Sequence, residues 1–139
     1  KLPQIEDASV DFVYSNITLQ HIDPEDTKEY LKEFMRILSS KGVLCFQLPT
    51  RQHPSMLASQ LTWRARIKRR LPDSLYRVYR HLKRLYRPSM EMYGIPQEEV
   101  TRLLESRDGT VVHTEPNHSA GEGWESLAYW VTKVEVEPP

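Results

Sequence analysis

Residues Val10 to Leu48, which read VDFVYSNITLQHIDPEDTKEYLKEFMRILSSKGVLCFQL, decide the fold predicted for this chain. The apolar run from Val10 to Tyr14 is rich in β-forming residues and predicts a strand that ends at a Ser-Asn turn. The run from Val43 to Leu48 is apolar except for Gln47 and predicts a strand covered on both faces. A helix between two such strands makes a βαβ unit, so we expect parallel strands and a right-handed crossover.

The segment between these strands has the features of one helix. Asp23 can cap it, Pro24 suits the first helical position, and the acids that follow favour the positive end of the helix dipole. Gly42 predicts its end, because a residue without a Cβ tolerates a left-handed turn. The apolar residues recur at spacings of three and four and therefore share one face: Tyr30, Leu31, Phe34, Met35 and Leu38.

Composition bounds the class of protein. The chain has 139 residues, 39% of them apolar and 27% charged, as expected of one globular domain, and its 19 bases balance 19 acids. The single cysteine, Cys45, predicts a small core residue in a reducing compartment and excludes a disulfide framework. Neither a membrane-length apolar run nor a signal peptide is visible, so we expect a cytoplasmic protein. The start at Lys1 suggests a piece of a longer chain.

The rest of the chain predicts three further helices and two strands. Two helices are expected between Ser55 and Arg87, interrupted at Pro72. A short helix opens at Pro96 and carries Val100, Leu103 and Leu104 on its inner face. The strands Thr110 to Thr114 and Glu125 to Val134 are close enough in sequence to form an antiparallel pair.

Three segments, in this order, carry a family resemblance: IEDASVDFVYS (5–15), LQH (19–21) and EFMRILSSKGVL (33–44). With the tail from Gly94 to Val131, they are similar to the second half of a class I S-adenosylmethionine-dependent methyltransferase domain. The resemblance implies an α/β fold with a partial Rossmann-like sheet: two parallel strands plus a C-terminal antiparallel pair, flanking helices and a helical insert at 51–92. The glycine-rich loop and the ribose-binding acid of the family's first half have no counterpart in 1–139. We therefore expect the isolated chain to be an inactive fragment.

The resemblance also implies S-adenosyl-L-methionine as cofactor and a methyl acceptor as substrate. Ligands of open α/β sheets bind beyond the carboxyl ends of the strands, which selects the loop after the first strand. The cofactor-binding candidates are Ser15, Asn16, Ile17 and Gln20, and His21 is the candidate catalytic base. The alternative is that Gln20 and His21 only cap the loop or the following helix.

Acceptor binding is expected at the loop after the second strand and at the far end of the insert. The candidates there are Arg51, His53, Met92 and Tyr93. The alternative for Met92 and Tyr93 is that they pack the insert onto the core.

The insert is strongly basic. Residues 64–87 hold ten arginines and lysines against one acid, Asp73, with tyrosines interleaved. Such a segment suits an anionic surface, such as a phospholipid headgroup or a lipid-linked or phosphorylated glycan, and so peripheral membrane contact. Three alternatives stay open: a lid over an anionic acceptor, a non-catalytic binding module, and a solvated lid whose arginines answer acids elsewhere. There is no nucleic-acid motif, and we expect no nucleic-acid partner.

The strand order that the resemblance implies leaves the first strand at an edge. Val10, Phe12 and Tyr14 would then lie beside unpaired N–H and C=O groups. We expect that edge to meet either a missing N-terminal half or a second copy of the chain.

Overall fold

The computed structural model describes residues 2–54, 72, 75 and 91–133. The two helices predicted between Ser55 and Arg87, and with them the ten basic residues of the insert, lie outside these residues. Four strands form one sheet in the order β1-β2-β4-β3, with β1 parallel to β2 and β4 antiparallel to both neighbours. The elements are β1 (Val10–Ser15), a 3-10 turn (Leu19–His21), α1 (Pro24–Ile37), β2 (Leu38–Gln52), α2 (Gln97–Glu105), β3 (Gly109–Pro116) and β4 (Trp124–Lys133). The predicted α/β fold and strand order are confirmed.

Helix α1 begins as predicted but ends earlier. The Asp23 carboxylate accepts a hydrogen bond of 3.0 Å from the backbone N–H of Glu25, and Pro24 is the first helical residue. The prediction that Gly42 closes the helix is wrong, because the chain turns extended at Leu38. Gly42 lies inside β2, where a Cβ would come within 2.8 Å of the Leu38 side chain and 3.0 Å of the carbonyl oxygen of Val10. The glycine is needed for close approach of two strands rather than for a left-handed turn.

The pairing of β1 with β2 is interrupted near that glycine. Val10 pairs with Leu38 and Phe12 with Val43, so the register shifts between these two pairs and β2 bulges. The Ser39 hydroxyl donates a hydrogen bond of 2.7 Å to the Asp11 carboxylate across the bulge. Strand β2 (Leu38–Gln52) also extends beyond the predicted run, Val43 to Leu48, at both ends.

Both helices pack on one face of the sheet. Leu31 and Met35 of α1 and Val100 and Leu104 of α2 are buried in one cluster with the sheet residues Leu44, Phe46, Leu48, Tyr129 and Val131. The rings of Phe46 and Tyr129 stack with centroids 4.8 Å apart. The prediction that Tyr30 shares the inner helix face is wrong, because its side chain is exposed. We call this side of the sheet the covered face.

The opposite side of the sheet, which we call the open face, carries Phe12, Tyr14, Val43, Cys45 and Trp130 by strand alternation and register. Phe12 and Tyr14 are 61% and 63% exposed, and Cys45 is half-buried. Burial still raises the pKa of the Cys45 thiol. The prediction that Cys45 is a core residue is wrong, because both described helices pack on the other face. The prediction that β2 is covered on both faces is confirmed only in part: Val43 is exposed, whereas Phe46 to Pro49 are all buried.

The edge position of β1 is confirmed within the part of the chain that the structure describes. Strand β1 pairs only with β2. The lead-in before it is held by Arg36 near the end of α1, whose guanidinium donates to Asp7 and to the carbonyl oxygens of Leu2 and Ile5. These contacts fix where the chain enters β1. None of the described helices is long and apolar enough to span a bilayer.

Candidate functional site

The loop after β1 leaves the sheet at the carboxyl end of the parallel pair, where the sequence placed the cofactor candidates. Ser15 is buried at the end of the strand. Ile17 adopts φ 62°, a left-handed conformation that is rare for a β-branched residue and costs about 1–3 kcal/mol. The side-chain oxygen Oδ1 of Asn16 is buried and has no hydrogen-bond partner in the protein. A strained residue and an unsatisfied acceptor next to each other are typical of a ligand site.

Two buried glutamines lie behind this loop. Gln20 and Gln47 are only 3% and 2% exposed. The Gln47 amide nitrogen donates to Gln20 Oε1 at 3.2 Å and to the Ser126 hydroxyl at 2.6 Å. Its oxygen accepts the backbone N–H of Ile17 at 3.1 Å. The sheet thus supports the strained loop through a side chain of β2.

His21 connects the loop to the segment that follows the insert. Its Nε2 lies 3.1 Å from the Gln20 amide nitrogen, and its Nδ1 lies 3.2 Å from the carbonyl oxygen of Glu91. The backbone N–H of Tyr93 donates to the carbonyl oxygen of Gln20 at 2.9 Å. The Tyr93 hydroxyl donates to the Glu91 carboxylate at 2.6 Å, and this bond raises the pKa of Tyr93. Loop and segment form one hydrogen-bonded unit.

A second feature of the same sheet edge is a cleft of about 620 Å³ between the ends of β2 and β3 and the starts of β4 and α2. Arg51 lies in it and its Nε is 2.6 Å from the Glu125 carboxylate, which raises the pKa of the guanidinium. The cleft is lined mainly by polar residues: Thr50, Arg51, Gln97, Glu98, Asn117, His118, Glu125 and Ser126, with Pro96, Pro116, Trp124 and Leu127. Ser126 belongs both to this cleft and to the Gln47 contacts, so the two features adjoin.

The structure brings together some of the predicted site residues. Gln20, His21 and Tyr93 are linked by hydrogen bonds, whereas Arg51 lies in the cleft. His53 is exposed just after β2, and its backbone N–H donates to the carbonyl oxygen of Gly123. Met92 is half-buried in the segment after the insert.

Sequence reasoning missed Gln47 and Ser126 as site residues. A signal for Gln47 was present, because it is the one polar residue in the apolar run Val43 to Leu48. A buried amide in such a strand needs hydrogen-bond partners, and these mark a polar site nearby. Ser126 had no comparable signal, since a serine in a half-buried strand is common.

The comparisons with known proteins agree on one fold. A family model described as "Methyltransferase domain" matches residues 1–46. No curated protein matches the sequence. Among solved structures, magnesium protoporphyrin IX methyltransferase from Synechocystis PCC 6803, with bound S-adenosylhomocysteine, is similar with a TM-score of 0.61 at 10% identity, over 96% of this chain and 48% of that one.

Two further enzymes have the same architecture. The 1,6-didemethyltoxoflavin-N1-methyltransferase of Burkholderia thailandensis gives a TM-score of 0.54 at 14% identity, over 93% of this chain and 46% of that one. Phospholethanolamine N-methyltransferase 2 of Haemonchus contortus, solved with phosphomonomethylethanolamine, gives 0.56 at 13%, over 94% and 35%. The chain spans about half or less of the length of these three enzymes.

Proposed function

We propose that this chain, which is part of a class I S-adenosylmethionine-dependent methyltransferase domain, forms the acceptor-side half of such an enzyme. The observation that carries the proposal is the loop after β1. It lies at the carboxyl end of the parallel pair and holds Ile17 in a left-handed conformation beside the unsatisfied Asn16 oxygen. Ligands of this class of sheet bind at that edge.

The loop suits S-adenosylmethionine, which supplies the sulfonium methyl group for transfer. The cofactor carries hydroxyl and ammonium donors, and the buried Oδ1 of Asn16 is an acceptor that lacks one. Ser15, Asn16 and Ile17 would contact the cofactor directly. Gln20 is buried behind them, so its proposed role is to hold the conformation of the loop.

The acceptor is proposed to enter through the cleft beside Arg51. Its volume of about 620 Å³ falls in the range of small-molecule sites, about 300–1,000 Å³. Arg51 in this cleft, together with the predicted acceptor-binding residues His53, Met92 and Tyr93, would receive an anionic, glycan or lipid-linked acceptor. Methyl transfer mainly requires alignment of the nucleophile with the sulfonium methyl. A general-base role for His21 stays a prediction: an acceptor would first have to displace the Gln20 amide from Nε2.

The enzyme is proposed to need an N-terminal half for its cofactor site. This chain has no glycine-rich loop after a strand. The open edge of β1 and the exposed aromatics Phe12 and Tyr14 offer a place where further strands and a helix would pack. Self-association through the same edge is the alternative arrangement.

Calorimetric titration with S-adenosylmethionine tests the proposal. The 139-residue chain alone should show no micromolar binding, whereas the longer polypeptide of its reading frame should bind. In that polypeptide Asn16→Ala should weaken binding about tenfold, the value of one hydrogen bond of about 1.4 kcal/mol to a charged or buried group. Ser40→Ala, an exposed position in the bulge of β2, is the matched control. Tight binding by the isolated chain, or none by the longer one, would count against the proposal.

A second candidate function rests on the basic insert: a non-catalytic module that binds an anionic membrane surface from the cytoplasm. Ten bases against one acid between residues 64 and 87 support it. Co-sedimentation with phosphatidylserine vesicles should weaken steeply with salt, because the Debye length falls from about 10 Å at 0.1 M to about 3 Å at 1 M. Changing Arg69, Arg70, Lys83 and Arg84 to glutamate should abolish it. Unchanged vesicle binding in that variant would exclude the module.

A further inference from the structure

Five residues form a continuous series of hydrogen bonds whose direction is set at both ends. The series runs from the backbone N–H of Ile17 to Gln47, then to Gln20, His21 and the carbonyl oxygen of Glu91. A backbone N–H can only donate and a backbone carbonyl can only accept. Each amide and the imidazole between these ends must therefore take one orientation.

The orientation follows step by step. Because Ile17 donates, the Gln47 atom that it meets is the oxygen, and the Gln47 nitrogen then donates to the Gln20 oxygen. The Gln20 nitrogen is left to donate to His21 Nε2, which must carry a lone pair. At the other end, Nδ1 must carry the proton that the Glu91 carbonyl accepts. Both ends thus assign the same neutral Nδ1–H tautomer to His21.

The series also joins the two walls of the proposed site. At one end Gln47 holds the left-handed Ile17 beside the unsatisfied Asn16 oxygen. At the other end His21 and the Gln20 backbone hold Glu91 and Tyr93. Gln47 is buried and reaches neither wall's surface, so its influence on a ligand passes through the residues that it orients.

We infer that Gln47 and Gln20 are positioning residues that set the tautomer of His21 and the distance between the cofactor loop and the segment 91–93. The inference rests on the proposed function for the meaning of the site, but its geometry does not. His21 then serves as a clamp between loop and segment. An acceptor that breaks the contact of His21 Nε2 with Gln20 would interrupt the series between the two walls, while the backbone bond from Tyr93 to Gln20 stays in place.

Nitrogen-15 NMR of the imidazole rings tests this without activity or cofactor. At about pH 8 His21 should be a single Nδ1–H species. In Gln47→Glu the new carboxylate still accepts from Ile17 but can no longer donate to Gln20. The Gln20 amide should therefore flip and present its oxygen to His21, so that Nε2 takes up a proton from solvent while Nδ1 keeps the one that the Glu91 carbonyl accepts. In Gln47→Leu only the Glu91 carbonyl still selects the Nδ1–H form, so a minor Nε2–H population should appear beside it.

Hydrogen exchange of the Ile17 amide separates the two halves of the series. It should be about tenfold faster in Gln47→Leu and unchanged in Gln47→Glu, because only the former removes the acceptor. Ser126→Ala is the matched control, since it removes a Gln47 partner outside the series and should leave the tautomer as it is. A wild-type His21 protonated on Nε2, or only the wild-type tautomer in both Gln47→Glu and Gln47→Leu, would overturn the inference. The predicted tautomer in a protein that binds no S-adenosylmethionine would uphold it and reject the proposed function alone.

Discussion

The two faces of the sheet receive neighbouring residues of the same strands, yet the two helices that the structure describes cover only one of them. Val13, Leu44 and Phe46 point to α1 and α2 and belong to the core, whereas Phe12 and Tyr14, next to them in sequence, are more than half exposed. Side chains alternate between the two faces of a strand, and here the residues on both faces are apolar. The difference teaches that apolar pattern alone does not decide burial: both described helices pack on the covered face, and no described helix packs over Phe12 and Tyr14.

The largest expected difference between the faces concerns Phe46. Replacement by alanine should lower the free energy of unfolding by about 3–5 kcal/mol, because a buried ring stacked on Tyr129 leaves a cavity. The matched change on the open face, Phe12→Ala, should cost less than about 1 kcal/mol in the isolated chain. Urea denaturation followed by circular dichroism measures both. Equal losses would show that the open face is covered in solution.

A smaller loss of stability is expected where β2 approaches β1 closely. Gly42→Ala would place a Cβ against the Leu38 side chain on the covered face and the Val10 carbonyl, and it should cost about 1–3 kcal/mol through overpacking. Ser40→Ala, two residues earlier and exposed, controls for the change in the bulge itself. A Gly42→Ala protein as stable as the control would mean that the bulge yields without cost.

The covered face also contains one polar group, the Tyr129 hydroxyl, whose removal should stabilise the fold. The Tyr129 hydroxyl is buried without a hydrogen-bond partner, so Tyr129→Phe should raise the free energy of unfolding by about 1 kcal/mol. A decrease on thermal or urea unfolding would show that the hydroxyl has a partner in solution.

The same tyrosine predicts a pH dependence. Burial, with the Glu98 charge, raises the pKa of folded Tyr129 above its ordinary value of 10.0. Above about pH 10 the unfolded chain loses this proton while the folded chain keeps it, so wild-type stability falls as pH rises. The phenylalanine variant lacks this loss, and its advantage should widen between pH 9 and pH 11. A constant difference across that range would contradict the shift.

The smallest effect on stability is expected from the open face, with a clear effect on association. Changing both Phe12 and Tyr14 to serine should alter the free energy of unfolding by no more than about 0.5 kcal/mol per site. It should also reduce self-association of the isolated chain in sedimentation velocity, because the two stacked rings are the exposed apolar part of the edge strand. A wild-type chain that stays monomeric at high concentration would remove the case for self-pairing.

The start of α1 and the inner face of α2 could be predicted from the sequence, because both depend on residues that are close together in the chain. Asp23 and Pro24 marked the start of α1, and Val100 and Leu104 marked the inner face of α2. The end of α1 was misplaced because a glycine near a helix end has two physical uses. Gly42 serves the close approach of two strands, and only the neighbouring strand reveals that.

The candidate site was predictable in part for the same reason. The loop from Ser15 to His21 follows a strand end, and strand ends can be read from the sequence. Its support could not be read in the same way, because Gln47 contacts Gln20 across 27 residues and Ser126 across 79. Long-range partners depend on the register of strands that are distant in sequence.

The sequence by itself determined the order and type of the elements that the structure describes, and the family resemblance, because capping, periodicity and turn chemistry act over a few residues. Only the tertiary structure decided which face of the sheet the described helices cover, why residue 42 is a glycine and which groups the two ring nitrogens of His21 contact. Those properties arise from contacts among β1, β2, β4 and the segment after the insert. Strand alternation offers both faces equally, and packing alone distinguishes them.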